Sequence, residues 1–153
     1  MSDRIVQETL THRLILPSEA NHHGTLYAGA MLTLALEAGY ATAYRSIGGA
    51  ANLVLKRVLD LRCLEPVPIG HVVEVRGREV YRARAQVVVG LIGTPLVGHS
   101  KPWMDGLMQF VQVDAAGSPE PIPAVPGGVT PAELLAPWAS LGERARKLLA
   151  IRG

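Results

Sequence analysis

"SEANHHGTLYAGAMLTLALEAGY", residues 18–40, decides how the rest of the chain is read. Asn21, His22, His23 and Gly24 crowd into a polar turn, and an apolar helix begins near Ala28. Met31, Leu34, Ala35 and Ala38 recur at helical spacing, while Leu32 and Leu36 leave almost no polar face. A helix apolar nearly all round is a buried one. Gly48 and Gly49 stop it after Arg45. A single carboxylate, Glu37, stands on this helix, and an unpaired buried charge is costly. That acid therefore has a partner or a task.

Upstream, residues 4–16, RIVQETLTHRLIL, read as extended until Pro17 ends the run. Downstream, Leu55, Leu59, Leu61 and Cys63 alternate with Lys56, Asp60 and Arg62, and Pro66, Pro68 and Gly70 mark a turn. Val73, Val75 and Tyr81 then alternate with Glu74, Arg76, Arg78 and Arg82, in a run so long that it must fold back around residues 82–84. A last strand covers roughly 106–114, and residues 115–129 form a Pro/Gly-rich linker. Thr130 with Glu133 reads as a capping box with Pro131 at the first helical position. It opens a terminal helix over 130–152, with Pro137 and Gly142 weakening its middle.

This order predicts one α+β domain over 1–153, with its core at about 4–114. A meander of antiparallel strands, each expected to turn back onto the one before it, forms a sheet wrapped around one long central helix, and a helical tail follows. A sheet of about five strands covers such a helix on one side only, so the expectation is a homodimer or higher homo-oligomer.

Composition narrows the partners. Of 153 residues, 48% are hydrophobic and 18% charged, which is the balance of a folded globular chain. A net charge of +2 is too small to argue for nucleic acid. No charge-free apolar stretch reaches membrane-spanning length, and MSDRIVQETL lacks the apolar region of a signal peptide. The single Cys63 cannot form an intrachain disulfide, which fits a cytoplasmic location.

"NHHGTLYAGAMLTLALEAG" resembles the signature of the hotdog-fold acyl-CoA thioesterases, roughly Asn-x-x-Gly-x-x-x-Gly-Gly with an acid seven residues later. Asn21, Gly24 and Gly29 fall on that pattern, with Ala28 in place of the first Gly of the pair. "VLDLRCLEPVPIGHVVEV" is similar to the family's strand-turn-strand. "FVQVDAAGSPEPIPAVP" with "TPAELLAPWASLGERAR" resembles the tail of the cytosolic long-chain acyl-CoA hydrolase branch. The resemblance implies a hotdog fold and homo-oligomers with active sites between two subunits. It implies hydrolysis of acyl-CoA to free acid and coenzyme A. No metal and no organic cofactor is needed, coenzyme A being part of the substrate.

Thioester hydrolysis needs a polarised carbonyl, an activated water and a cradle for the coenzyme A phosphates. Free N–H groups near Ala28, Gly29 and Ala30 can hold a developing oxyanion at the helix N-terminus. Gly29 lets a carbonyl approach closely, or merely permits tight packing. Asn21 caps its own backbone in a turn, or, on the family pattern, orients the water or the carbonyl, with Gly24 beside it in the same substrate-binding loop. His23 either adds a hydrogen bond to the thioester or water, or is an ordinary loop histidine. Adjacent His22 and His23 make a poor metal chelate.

At the acid the sequence departs from the pattern. Seven residues after Gly29 comes Leu36, and Glu37 lies one step on, about 100° around the helix. One alternative makes Glu37 the general base, with Thr33, one turn before on the same face, orienting its carboxylate or hydrogen-bonding a water at the substrate. The other leaves a non-catalytic acyl-CoA-binding or regulatory protein. A 3-hydroxyacyl dehydratase using His23 and Glu37 fits less well, because the tail does not resemble that branch. For the phosphates, Arg82 and Arg84 at the hairpin are the first candidates, ahead of Lys56, Arg57 and Arg62.

Overall fold

The computed structural model of the chain describes residues 8–48, 51–98, 101–122 and 136–151. Ala28–Ile47 form α1, the central helix. Its buried stripe is Met31, Leu34, Ala35, Ala38, Gly39, Thr42 and Ala43, so small residues set how closely it approaches the sheet. A Cβ on Gly39 would come within 2.8 Å of Met108 Sδ. Gly48 ends the helix at φ +68°, its N–H donating to Tyr44 O at 2.9 Å, a positive-φ conformation that glycine adopts without strain.

Five strands wrap α1: β1 (Thr9–Leu14), β2 (Leu53–Cys63), β3 (Val72–Ala83), β4 (Gln86–Pro95) and β5 (Met104–Gln112). All pairings are antiparallel, in the order β1-β3-β4-β5-β2. This is the hotdog fold expected from the sequence. Between α1 and the sheet lies a core that includes Ile15, Leu34, Val73, Val75, Leu91, Trp103, Met108 and Phe110. A second helix, α2 (Trp138–Ala150), covers the opposite face, packing Trp138, Leu141 and Ala145 on Val80, Val88, Ile92 and Leu107. No described helix is long and apolar enough to cross a membrane.

Three expectations are corrected. β2 does not turn back onto β3. It lies at the far edge against β5, and residues 64–71 cross over to β3 beneath the N-terminus of α1. That crossing is fastened by Leu26 N–H to Val67 O (2.8 Å), Ile69 N–H to Gly24 O (3.1 Å) and Leu64 N–H to Trp103 O (2.8 Å). Strand-forming alternation reports which face a residue takes, not which strand it pairs with. The terminal helix starts at Trp138, so Pro137 precedes it instead of interrupting it, as a ring lacking an N–H should. The capping box at Thr130 and Glu133 lies outside the described residues. Finally, the described part of the linker is docked at its last residue: Ile122 is buried in the inner core and donates its N–H to Arg84 O at 2.8 Å.

The β3–β4 turn falls at residues 84–85, where the sequence requires a reversal. A register shift between Glu79 and Tyr81 breaks the alternation of β3. Before it, Val73, Val75, Gly77 and Glu79 are buried in strict alternation; after it, Tyr81 packs on the α2 side.

Candidate functional site

The polar loop before α1 is built by Asn21. Its Oδ1 accepts from His23 N–H (2.9 Å), Thr25 N–H (3.1 Å) and Thr25 Oγ1 (3.2 Å). The backbone closes on itself through Gly24 N–H to Asn21 O (3.1 Å) and Asn21 N–H to Thr25 O (2.7 Å). The side-chain oxygen is thus committed to the turn, while Nδ2 remains as a donor. Gly24 sits at φ +75°, which is why a glycine stands there. His22 and His23 are exposed, with ring centroids 3.9 Å apart.

Tyr27 is the residue before α1, and among the described residues no side chain caps the helix. The first helical bond runs from Met31 N–H to Tyr27 O (3.0 Å), so the N–H groups of Ala28, Gly29 and Ala30 have no intrahelical acceptor. The Tyr27 ring lies across Gly29: a Cβ there would fall 2.5 Å from Tyr27 Cε2. Gly29 therefore has a local reason to be glycine, the seating of an aromatic ring over the helix start.

Beside this start runs a groove of about 320 Å³ lined by Asn21, Thr25, Met31, Cys63 and Trp103 among others. A neighbouring groove of about 380 Å³ carries His71, Val73, Pro95 and Lys101. The two share Glu65, Pro66, Val67 and Trp103. Trp103 is 3% exposed, and its Nε1 has no hydrogen-bond acceptor among the described residues. Cys63, exposed at the end of β2, places Sγ 3.2 Å from Met31 Sδ.

Glu37 is elsewhere. Its side chain is 66% exposed, and Arg13 Nη1 lies 4.0 Å from its Oε2. Gly29 and Glu37 are eight residues apart on α1, about 12 Å of axial rise, so one chain does not bring them together. Thr33 does not orient Glu37; its Oγ1 donates back to Gly29 O at 3.0 Å. Leu36 is half-buried against the core. Leu36, Glu37, Tyr40, Ala41, Leu55 and Phe110 line an apolar groove of about 460 Å³ between α1 and the β2–β5 edge of the sheet. Leu32, Tyr40 and Tyr44 are exposed along α1, and Val54, Leu55 and Val58 along β2.

Arg82 is corrected from a phosphate ligand to a clamp. Its Nη2 donates to Glu79 Oε1 (2.6 Å) and Ser46 O (3.2 Å), and its Nε lies 3.1 Å from Glu79 Oε2. Ser46 Oγ also donates to Glu79. With side chains 11% and 7% exposed, the Arg82–Glu79 pair ties the C-terminal end of α1 to β3, about 27 Å along the helix from its start. Arg84 is exposed at the hairpin on the same end. A second ion-pair cluster joins β2, β5 and α2: Asp105 receives Arg62 Nη2 (2.6 Å) and Arg144 Nη2 (3.0 Å), and Arg144 Nε lies 2.9 Å from Asp60. Burial pushes the Asp105 carboxyl up, but the hydrogen bonds and charges of Arg62 and Arg144 outweigh that and hold it below its ordinary value. Among the described residues, no three of His, Cys, Asp or Glu gather as a metal-holding group.

Sequence reasoning missed Tyr27, Trp103 and Arg13. Alternation along β1 was the available signal for Arg13, which falls on the inward side with Thr9 and Thr11. Nothing local marks Trp103, whose position depends on the crossover of residues 64–71.

A family model described as the thioesterase superfamily matches residues 23–93. No curated protein sequence matches the chain. Among solved structures, the fold is similar to an acyl-CoA hydrolase from Staphylococcus aureus in complex with butyryl coenzyme A, coenzyme A and coenzyme A disulfide (TM-score 0.73, 20% identity, covering 94% of this chain and 90% of that one). It is also similar to an acyl-CoA hydrolase from Bacillus cereus (TM-score 0.75, 18% identity, covering 94% and 84%). A hexameric thioesterase from Yersinia pestis resembles it over 74% of this chain and 93% of that one (TM-score 0.67, 22% identity).

Proposed function

We propose that this chain is an acyl-CoA thioesterase, hydrolysing acyl-CoA to a free acid and coenzyme A, and that its active sites form between two copies. The observation that carries this reading is the uncapped N-terminus of α1 opening beside the groove that Asn21 lines. A thioester carbonyl seated there meets the free N–H groups of Ala28 to Ala30, and Asn21 Nδ2 donates to the carbonyl or to the attacking water. The helix start is worth most in a water-poor groove, where its partial charge is least screened.

Glu37 is the general base. It takes a proton from water as the oxygen attacks the thioester carbon; the tetrahedral intermediate then collapses, expelling the coenzyme A thiolate, which is protonated to the thiol. Because about 12 Å separates Gly29 from Glu37, the base acts on a thioester held by the other subunit. A two-fold antiparallel packing of two α1 helices that sets Glu37 opposite the second copy's Gly29 has its axis at Thr33, midway between them. The exposed apolar residues Leu32, Tyr40 and Tyr44 favour such burial, since a monomer seldom leaves so continuous an apolar face in water. The reaction uses no metal and no organic cofactor. Lys101 and His71, on the groove that shares Trp103 with that of Asn21, replace Arg82 as cationic and donor groups for the coenzyme A arm.

A second reading, acyl-CoA binding without turnover, is favoured by the high exposure of Glu37 and by Leu36 where the family pattern has its acid. One experiment separates them: thiol release from acetyl- to palmitoyl-CoA, beside titration with a non-hydrolysable analogue. Turnover that falls about 10²–10⁴-fold in Glu37→Gln, with analogue affinity unchanged, supports hydrolysis. Analogue binding without thiol release supports the second reading.

A further inference from the structure

Arg13 reaches two carboxylates at once. Its Nη2 donates to Glu19 Oε2, and its Nη1 lies 4.0 Å from Glu37 Oε2. Glu19 is itself fixed in the loop before α1: its Oε1 accepts Leu16 N–H at 3.0 Å, and its backbone oxygen accepts Tyr27 N–H at 2.9 Å. Arg13 is therefore anchored on β1, oriented by a residue of the loop that carries Asn21, and turned toward the exposed acid of α1. A charged residue on the inward side of a strand has to be accounted for, and here two acids from two other elements converge on it.

From this convergence we infer that Arg13 is a positioning residue for Glu37, holding its carboxylate in the orientation the hydrolysis needs. The inference rests on the reading of Glu37 as the base. Glu37 has three side-chain torsions and extends from an exposed helix face, and without a partner it samples rotamers that point into solvent. The guanidinium fork, held by Glu19 on one side, restricts that sampling with the other. The ion pair at 4.0 Å between half-exposed groups contributes little to stability. Its effect is on geometry, where misplacing a reacting group by about 1 Å costs on the order of 10²-fold in rate.

Two other roles are open to an inward arginine on an edge strand. One is to discourage strand pairing with another molecule, which would register in assembly and stability. The other is direct binding of substrate phosphates, which would register in KM.

The experiment is a double-mutant cycle on thiol release from an acyl-CoA, with Arg13→Gln, Arg13→Lys, Glu37→Gln and the Arg13→Gln/Glu37→Gln pair, each checked for thermal unfolding and oligomeric mass. The expected result is that Arg13→Gln lowers kcat about 10- to 100-fold with KM little changed, that Arg13→Lys recovers part of the loss, and that Arg13→Gln adds less than about 2-fold once Glu37 is Gln. An equal kcat loss in both backgrounds overturns the inference, as does a rise in KM alone or a loss explained by unfolding or dissociation of both Arg13 variants. If Glu37→Gln keeps the wild-type kcat, the base assignment falls and the Arg13 inference falls with it. If Glu37→Gln is impaired and Arg13→Gln is not, only the Arg13 inference is lost.

Discussion

Replacing Arg82 with Met keeps the length and apolar stem of the side chain and removes its charge. Glu79, 7% exposed, is then left with Ser46 and no cation among the bonds described above. Removing one partner of a buried, hydrogen-bonded ion pair costs about 3–5 kcal/mol, because the other charge stays desolvated. With both side chains nearly closed to solvent, screening reduces that figure little. At about 2–4 °C per kcal/mol for a domain of this size, the expected fall in Tm is about 6–20 °C. Glu79→Gln in the Arg82→Met background removes the stranded charge and should recover part of it. Differential scanning calorimetry reads the Tm, and thiol-release kinetics on the folded fraction read KM. A Tm within about 2 °C of wild type, together with a raised KM for acyl-CoA, would refute the clamp and restore Arg82 as a phosphate ligand.

Three further outcomes follow from particular contacts. Gly24→Ala places a side chain at φ +75° where a Cβ meets nothing within 4 Å, so the cost is conformational, about 1–2 kcal/mol by denaturant titration, with Asn21-dependent turnover reduced. Tyr40→Glu puts a charge into the apolar face of α1 and should shift sedimentation toward monomer, while a stable oligomer of unchanged mass would remove that face from the interface. Asp105 has a folded-state pKa below its unfolded value, so its stabilisation is present above the ordinary carboxylate range and is lost as pH falls through the folded value. Asp105→Asn should therefore lower Tm at neutral pH and flatten its decline in acid.

The helix and its neighbourhood were legible because their signals are local. Apolar spacing fixed the extent of α1 to within two residues at its C-terminal end, and Gly48 supplied the stop. The hairpin at residues 84–85 followed from the length of an unbroken alternating run. Partner choice was not legible: β2 and β3 are joined by Pro66, Pro68 and Gly70, which look like a hairpin, yet the pleat pattern is the same whether β2 lies beside β3 or at the far edge beside β5. That single topological difference carries residues 64–71 under the start of α1 and creates the groove with Trp103.

At the site, residue type was legible and role only partly so. Asn21 and Gly24 do build the loop, for reasons of hydrogen bonding and positive φ that turn chemistry contains. Gly29 answers to Tyr27, a contact between near neighbours that no spacing rule marks. Arg82 was misread because an arginine at a hairpin looks solvated; its burial depends on Glu79 facing inward and on Ser46 arriving from the end of α1. The near absence of a polar face on α1 points to a buried acid at Glu37, yet its side chain is 66% exposed in the single chain, and its distance from Gly29 bears on catalysis only through the proposal that the site requires two chains.

Subunit complementation tests that requirement most directly. Asn21→Ala and Glu37→Gln, each inactive alone, are unfolded together and refolded as an equal mixture, and thiol release from acyl-CoA is measured per dimer. In a mixed dimer, Glu37 of the first variant faces Asn21 of the second across one intact site, so random pairing should restore about a quarter of the wild-type rate. A mixture as inactive as either parent, with mixed dimers demonstrated by mass, would contradict a site shared between two copies.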